Sequence, residues 1–301
     1  MTHGSLGAVA PVAGLPALAS LGVDAGQDAQ ILAKAFELQV HARGLEELFA
    51  RLGRAGKIAP RAAPGRSRAA LIGAGLALEA GDMLFGTERD WPAALARGMS
   101  HEQLVHQAFA ARRGDTSIVD AAAGAVLSYG HDGGHVAEAV GFGMAASTRA
   151  SGAIALCCIG SNALLQPETT AALLMAVEKK ARVVFLLRGA RATIERLVIV
   201  QRIVAPSDSA HRVYWALAEA RSTRPGVPVL PVLIDARHGN EPYEPLDAKE
   251  LQSRQLLSAE LEHVLDGEVQ TALDRARAKA EGRGTPPSGA ASRPVDAEDD
   301  A

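Results

Sequence analysis

The residues whose types and spacing could carry chemistry gather at one short polar break in the sequence. A continuous apolar run at residues 154–159 ends in Gly160, Ser161 and Asn162, and a helical pattern starts at Pro167. Such an apolar run is typical of a strand buried on both faces of a parallel sheet. A loop between a strand of this kind and a helix N-terminus is a place where anions can bind. The spacing therefore predicts an anion-binding loop at this break.

The elements that must position this loop form one βαβ unit. A second apolar, β-rich run at residues 183–187 predicts another buried strand. Between the strands, Leu173, Leu174 and Met175 make the helix apolar over much of its circumference. A helix of this kind is typical of a protein interior. We therefore expect it to be covered on all sides.

A second glycine-containing stretch covers residues 69–82 and includes Gly73 and Gly75. A dinucleotide-binding fingerprint needs a preceding strand and a third glycine or alanine. No clear strand precedes Gly73, and Leu78 occupies the third position. We favour a helix whose small residues allow close packing, with the dinucleotide site as the alternative.

His131 and His135 could suggest a metal site, and each of these histidines directly follows a glycine. The glycines between them argue against one regular helix face, and no third ligand is recognisable. We therefore favour a polar loop that leads into a helix at residues 136–146.

Composition limits the classes of partner and compartment. The chain has 301 residues, of which 48% are apolar and 22% charged, as is ordinary for a soluble protein. The net charge of −3 gives no electrostatic reason to expect nucleic acid or an anionic membrane as a partner. No apolar run is long enough to span a bilayer. The adjacent Cys157 and Cys158 should point to opposite faces of a buried strand, which favours reduced core thiols in a cytoplasmic protein.

Periodicity divides the chain into a flexible N-terminal arm at residues 1–27, one domain at residues 28–281 and a disordered tail at residues 282–301. Within the domain we predict further elements in chain order. The first are an amphipathic helix at residues 31–53, a helix capped by Ser100 and a loop at residues 112–134. A strand at residues 197–204, a helix near His211 and a strand at residues 229–234 come next. The last are helices at residues 249–265 and 268–280.

Several landmarks along these elements carry a family resemblance. The first helix contains Arg43-Gly44-Leu45-Glu46-Glu47, Gly56-Lys57-Ile58 follows it, and Gly81-Asp82 follows the small-residue helix. Over about residues 30–255 the pattern resembles the alpha subunit of the decarboxylating component of 2-oxo acid dehydrogenases, of the pyruvate or branched-chain type. The resemblance implies an α/β fold with a parallel sheet flanked by helices, the thiamine-diphosphate-binding fold.

The resemblance also implies where a cofactor would bind. In that family a Gly-Asp-Gly segment and a later Asn-Asn pair hold a magnesium ion, which in turn holds the diphosphate of thiamine diphosphate. Here Gly160 matches the first glycine, but Ser161 and Asn162 replace the Asp and the second glycine, and Gly189 and Ala190 stand at the Asn-Asn positions. Mg²⁺ prefers oxygen ligands and usually a carboxylate. We therefore expect binding of thiamine diphosphate and magnesium to be weak or absent.

Other positions match the family only in part. Arg89 matches an arginine that contacts the diphosphate, but Glu88 replaces its tyrosine neighbour, and a carboxylate there repels a diphosphate. Arg89 is therefore either a cofactor ligand or an ordinary ion-paired arginine. His238 precedes Gly239, whereas the family histidine follows its glycine. His238 is the candidate catalytic residue, with a turn residue as the alternative.

The leading hypothesis is an alpha-subunit-like protein that has largely lost its cofactor ligands and acts as a structural or regulatory subunit. The alternative is an active alpha subunit that oxidatively decarboxylates a 2-oxo acid and transfers the acyl group to a lipoyl carrier. By resemblance, the expected partner is a beta-type dehydrogenase subunit or a second copy of the chain. Helices with small-residue faces, at residues 73–80 and 139–146, suit such an assembly.

Overall fold

A computed structural model of the chain describes residues 26–59, 63–111, 117–128, 133–189, 201–221, 231–238 and 245–282. Its strands are β1 (Met83–Thr87), β2 (Ser117–Asp120), β3 (Ala125–Ser128), β4 (Ala155–Gly160), β5 (Val183–Arg188), β6 (Gln201–Val204) and β7 (Val232–Asp235). They form a seven-stranded sheet in the order β2-β3-β1-β4-β5-β7-β6. Only the β2–β3 pairing is antiparallel, and all other neighbours are parallel.

Helices flank this sheet on both faces. They are α1 (Gln27–Arg54), α2 (Arg68–Leu76), α3 (Trp91–Ala96), α4 (His101–Ala111), α5 (Gly134–Arg149), α6 (Pro167–Glu178), α7 (Ala210–Arg221), α8 (Leu246–Ser253) and α9 (Ala259–Gly282). The predicted fold class, an α/β fold with a mostly parallel sheet flanked by helices, is confirmed. Across the described ranges, no helix combines the length and the apolar character that crossing a membrane requires.

The central βαβ unit has the predicted form. The two predicted apolar strands are β4 and β5, which pair in register from Ala155 opposite Val183 to Gly160 opposite Arg188. Pro167 is the first residue of α6, where its fixed φ suits a helix start and its missing N–H costs no hydrogen bond. The unit therefore places residues 160–162 between the carboxyl end of a buried strand and a following helix.

Local signals also located the starts of other helices. Ser100 and Gln103 form the predicted capping box: each backbone N–H donates to the other side chain, at 2.8 Å and 3.2 Å. The predicted first helix is α1, and the predicted helix near His211 is α7, which buries Val213, Leu217 and Ala220 on one face. These confirmed elements are the ones whose apolar period is regular and whose ends carry capping residues.

The sheet has two very different faces. Alternate side chains of β4 divide between them, so that Cys158 joins the core on one face and Cys157 the core on the other. The first face is covered by residues of α1, α2, α3, α4, α7, α8 and α9. On the second face the described helices that contribute to the core are α5 and α6. Both cysteines are fully buried, and burial raises the pKa of each thiol well above its usual value.

The small-residue helix is α2, and its glycines allow close packing as predicted. A side chain on Gly73 would lie 2.0 Å from the backbone oxygen of Ala210, and one on Gly75 would lie 2.4 Å from that of Ala93. Only glycine permits these approaches, because real Cβ contacts under 3.0 Å do not occur. Gly73 and Gly75 therefore bring α2 against α7 and α3, inside the chain.

Two predicted boundaries are wrong on the amino-terminal side of the sheet. The helical pattern at residues 69–82 ends at Leu76, and β1 (Met83–Thr87) follows it as an unpredicted central strand. The predicted loop at residues 112–134 contains β2 and β3, which form an antiparallel hairpin. Both strands of the hairpin are only four residues long. In strands this short, too few residues carry the strand preference for it to be recognised in the sequence.

Further predictions need correction on the carboxyl-terminal side. Helix α6 is not covered on all sides, since Leu174 and Met175 are each 49% exposed. The helices predicted at residues 249–265 and 268–280 are instead α8, which ends at Ser253, and α9, which runs through Gly267 without a break. The predictions for residues 1–25, 190–200, 222–230 and 283–301 lie outside the described residues.

Candidate functional site

The chain changes direction across the sheet between β1 and β4. From β1 it continues to β2 and β3 on one side, and from β3 it crosses over through α5 to β4 on the other side. In open α/β sheets, ligands bind in the crevice outside the carboxyl ends of the strands at such a switch point. The residues at these ends are Thr87 on β1 and Gly160 on β4, with Arg188 beside them on β5. We call this region the switch-point crevice.

A buried ion pair lies across the switch-point crevice. Arg188 Nε donates to Asp90 Oδ1 in a very short contact, and Arg188 Nη2 donates to Asp90 Oδ2 at 3.0 Å and to Thr87 Oγ1 at 3.0 Å. The side chains of Arg188 and Asp90 are 9% and 0% exposed. Since strands lie about 4.8 Å apart, the Arg188 side chain reaches from β5 past β4 to the residues that follow β1.

The Arg188 side chain passes close to Gly160 of β4. Gly160 sits directly opposite Arg188, and a Cβ built on it would lie 3.6 Å from Arg188 Nη1. The guanidinium therefore passes over the glycine. Asp90 is fixed in turn by a capping box with Thr87, whose backbone N–H donates to Asp90 Oδ2 at 2.7 Å. The pair is thus held from β1 and β5, which lie on either side of β4.

A second buried ion pair lies at the same edge of the sheet. Arg237 Nε and Nη2 donate to the two carboxylate oxygens of Asp235, each at 2.8 Å, in a bidentate arrangement. Asp235 ends β7 and is 1% exposed, and Arg237 is 6% exposed. Hydrogen bonding to Asp235 raises the pKa of the Arg237 guanidinium, so this arginine stays charged. Both arginines at this edge therefore have their charge balanced by a carboxylate of the chain itself.

The predicted anion-binding loop follows β4 but is used for other contacts. Ser161 Oγ donates to the backbone oxygen of Arg188 at 3.3 Å, which ties the end of β4 to the end of β5. Asn162 is exposed and begins a short 3-10 turn, Ala163–Leu165, before α6. Gly189 adopts a φ of +103°, and a side chain there would contact Ser161 Oγ at 3.4 Å. Ala190 lies outside the described residues.

The two other candidate residues of the resemblance, Arg89 and His238, lie beside the residues of the ion pair. The Arg89 side chain is 44% exposed and pairs with Glu88 at 3.9 Å, as an ordinary surface arginine does. His238 is half-buried at the carboxyl edge, and its backbone N–H donates to the Gly189 backbone oxygen at 2.9 Å. The fold brings His238 next to Gly189, and the Arg89 backbone N–H donates to Thr87 Oγ1 at 3.4 Å.

His135 has a structural contact in place of a metal. Its Nε2 donates to the backbone oxygen of Cys158 at 2.7 Å, which fixes the start of α5 to β4. His131 lies outside the described residues. Over the described ranges, no group of three or more histidine, cysteine, aspartate or glutamate side chains is arranged to hold a metal ion.

The crevice residues that the structure describes do not fit a magnesium–diphosphate group. A magnesium ion that holds a diphosphate needs a carboxylate or comparable oxygen ligands. Asp90 and Asp235, two buried carboxylates of this edge, each bind an arginine instead, and the hydroxyl of Ser161 is directed at a backbone oxygen. The charges of the arginines in the crevice are therefore balanced by carboxylates of the chain itself.

The sequence predicted the position of the loop at the crevice but not the charged residues that fill the crevice. Asp90, Arg188, Asp235 and Arg237 were not among the predicted site residues. A signal was present for Arg188 and Asp235, since each is a charged residue at the end of an apolar strand. A charge in that position must be solvated or paired. The partner of Arg188 lies 98 residues away, so the pairing itself required the fold.

Comparison with known proteins gives a likeness of shape. No protein-family model matches the sequence, and no curated protein matches it. Among solved structures, the chain is similar to transketolase from Campylobacter jejuni subsp. jejuni NCTC 11168, with a TM-score of 0.47, 16% identity, and coverage of 82% of this chain and 47% of that one. It is also similar to transketolase from Leishmania mexicana, with a TM-score of 0.45, 11% identity, and coverage of 84% and 46%. The chain thus spans about half the length of these transketolases.

Proposed function

We propose that the chain is a non-catalytic relative of the 2-oxo acid dehydrogenase alpha subunit, acting as a structural or regulatory subunit. The observation that carries this proposal is the buried Arg188–Asp90–Thr87 network across the switch-point crevice. A working site keeps a cationic metal and an anionic diphosphate in such a crevice. In this chain a guanidinium and a carboxylate supply the two charges, so the crevice is stable without a cofactor.

The free energy that is lost when a buried charge is left without its partner favours loss of the cofactor over weak retention. A buried ion that loses its partner is left desolvated and uncompensated, which costs about 3–5 kcal/mol. A diphosphate entering the crevice would have to displace Asp90 from Arg188, and no ligand at residues 160–162 replaces the carboxylate that a magnesium ion requires. Glu88 adds a further repulsive charge beside the end of β1.

The test is calorimetric titration of thiamine diphosphate into the purified chain with and without magnesium. We expect no magnesium-dependent binding in the micromolar range. The variant Ser161→Asp with Ala190→Asn should gain partial, magnesium-dependent affinity, because it restores a carboxylate and an amide oxygen on an intact strand–loop–helix frame. Adding Glu88→Tyr should increase it further. Ser161→Ala is the control, since it removes the hydroxyl without supplying a ligand.

One outcome would reject the proposal, and a second would reject ligand loss as its explanation. Micromolar, magnesium-dependent binding by the wild type would favour the alternative, an active subunit that decarboxylates a 2-oxo acid and transfers its acyl group to a lipoyl carrier. In that case His238 would be the first residue to substitute in an activity assay with a beta-type subunit. Failure of both repair variants to gain affinity would mean that the pocket itself has collapsed or filled, so that loss of the ligands alone does not explain the loss of binding.

A further inference from the structure

The two strands at the switch point separate before they reach the carboxyl edge of the sheet. The parallel pairing of β1 with β4 ends where Phe85 lies opposite Cys157. Strand β1 nevertheless continues to Thr87 in its pairing with β3, and β4 continues to Gly160 in its pairing with β5. A gap therefore opens between β1 and β4, and it lies at the base of the switch-point crevice.

One hydrogen bond of the β1–β4 ladder is replaced in this gap. The Met83 N–H donates to the Ile154 backbone oxygen at 3.1 Å. Because backbone groups that face the same neighbouring strand recur at every second residue, a continued ladder would join the Thr87 N–H to the Cys158 oxygen. The Thr87 N–H donates instead to Asp90 Oδ2 at 2.7 Å. The Cys158 oxygen is thereby left without its β1 partner.

The imidazole of His135 takes that oxygen. Its Nε2 donates to the Cys158 backbone oxygen at 2.7 Å, and the residue is 1% exposed. A carbonyl oxygen only accepts hydrogen bonds, so Nε2 carries the hydrogen and Nδ1 of the neutral ring is an acceptor. Among the described residues, this buried Nδ1 has no hydrogen-bond partner. The ring is therefore held by one hydrogen bond and by the gap that it fills.

Two side chains thus stand in the place of one backbone hydrogen bond. Asp90 belongs to the ion pair with Arg188, whereas His135 reaches the same gap from the first turn of α5. Direct pairing of the two backbone groups would satisfy both of them without a buried imidazole that uses only one of its nitrogens. The arrangement instead keeps an aromatic ring between β1 and β4, where sheets of this type take their ligands.

We propose that the His135 ring occupies a binding position of the switch-point crevice, so that the chain blocks this position with its own imidazole. The ligand class is a small planar nitrogen ring that donates one N–H to the Cys158 oxygen, as the imidazole does. This inference rests on the proposed function, since it adds His135 to the groups that close the crevice. Its test needs neither thiamine diphosphate nor magnesium.

The experiment vacates the position and supplies the ring from solution, at about pH 8, where the free ring is mostly neutral. His135→Gly should lower the melting temperature of the full chain, because it leaves the Cys158 oxygen unpaired beside an empty space. At about 50 mM imidazole the melting temperature of the variant should rise by about 3 °C or more, because a ligand that binds only the folded chain stabilises it by mass action. That of the wild type should not rise. His135→Ala, which adds no glycine to α5, should show a rise of the same sign.

Two controls separate this position from a general effect of imidazole. N-methylimidazole has no N–H in its neutral form, so it should stabilise neither variant. His41→Ala removes another fully buried imidazole, one that contacts His101 between α1 and α4 and lies outside the crevice. Imidazole should not stabilise this control variant.

Amide NMR spectra of His135→Gly then locate the bound ring. Imidazole should shift the signals of Thr87 and Gly160, the residues that end β1 and β4. The proposal would be overturned if imidazole stabilised neither variant, if N-methylimidazole or His41→Ala gave an equal rise, or if the shifts were confined to other parts of the chain. Magnesium-dependent binding of thiamine diphosphate by the wild type would reject the proposed function without changing these results. The two failures are therefore distinguishable.

Discussion

The two faces of the sheet differ in what their small residues do. On the first face Gly73 and Gly75 of α2 lie against the backbone of α7 and α3, at distances that no side chain would allow. On the second face Gly141 of α5 points away from the sheet into open space, and Leu174 of α6 is half exposed. Small residues therefore allow close packing within the chain on the first face, whereas on the second face they lie beside exposed apolar side chains.

This difference shows why residue type alone could not assign the interfaces. In the sequence, the small residues at 73–80 and at 139–146 appear equally suited to contact between subunits. The fold uses Gly73 and Gly75 internally, and it divides the glycines of α5, with Gly143 inside and Gly141 outside. The direction in which a glycine faces, which depends on the helix packing, decides its role.

The largest expected effect comes from one substitution made on both faces. Gly73→Ala should destabilise the chain by more than about 3 kcal/mol, since its Cβ would overlap the Ala210 backbone oxygen. Gly141→Ala should leave stability unchanged or raise it by up to about 1 kcal/mol through helix propensity. Urea unfolding followed by circular dichroism measures both. Equal losses from the two variants would remove the distinction between the faces.

A leucine truncation should give a similar but smaller contrast. Leu71 of α2 is fully buried and Leu174 of α6 is 49% exposed. Leu71→Ala should cost about 3 kcal/mol, because it creates a cavity, whereas Leu174→Ala should cost less than about 1 kcal/mol. Urea unfolding followed by circular dichroism measures both losses. A large loss from Leu174→Ala under these conditions would show that the second face is covered within the chain.

Acid should weaken the first face through a buried histidine pair. His41 Nδ1 and His101 Nε2, from α1 and α4, are 2.9 Å apart, and the nearby Lys34–Glu37 ion pair borders His41 on α1. Burial, with a contribution from His101 and Lys34, lowers the pKa of His41 from 6.5 to about 3, and burial lowers that of His101 to about 4. Both rings are therefore neutral in the folded chain at pH 7.

The sign of the pH effect follows from these pKa values. As the pH falls below 6.5, the unfolded chain binds protons at both histidines while the folded chain does not, so folding stability declines until about pH 4. Between pH 7 and pH 5 the two histidines should remove roughly 4 kcal/mol. The double variant His41→Leu, His101→Leu should show a decline smaller by that amount in urea unfolding at the two pH values. An equal decline in the variant would assign the acid sensitivity to other groups.

The sequence predicts a helix or strand best where the pattern that indicates it lies within that element. The apolar runs of β4 and β5, the Ser100 cap and the long period of α1 are local patterns, and each was found. Strand β1 was missed because it follows directly on an apolar helical stretch and contains Gly86. The site shows the same limit: the loop at residues 160–162 could be located from its neighbours, but the Arg188–Asp90 pair depends on strand order, which no local pattern encodes.

The central claim is that the switch-point crevice is closed by its own ion pair, and a double-mutant cycle tests it most directly. Asp90→Ala and Arg188→Ala should each destabilise the chain by about 3–5 kcal/mol, because each leaves a buried charge without its partner. The double variant should be less damaging than the sum, with a coupling energy of about 2 kcal/mol or more. The Glu88–Arg89 pair, whose side chains are 23% and 44% exposed, is the control and should show a coupling below about 1 kcal/mol. Additive effects of Asp90→Ala and Arg188→Ala would contradict the account, since they would mean that the two side chains do not hold each other across the crevice.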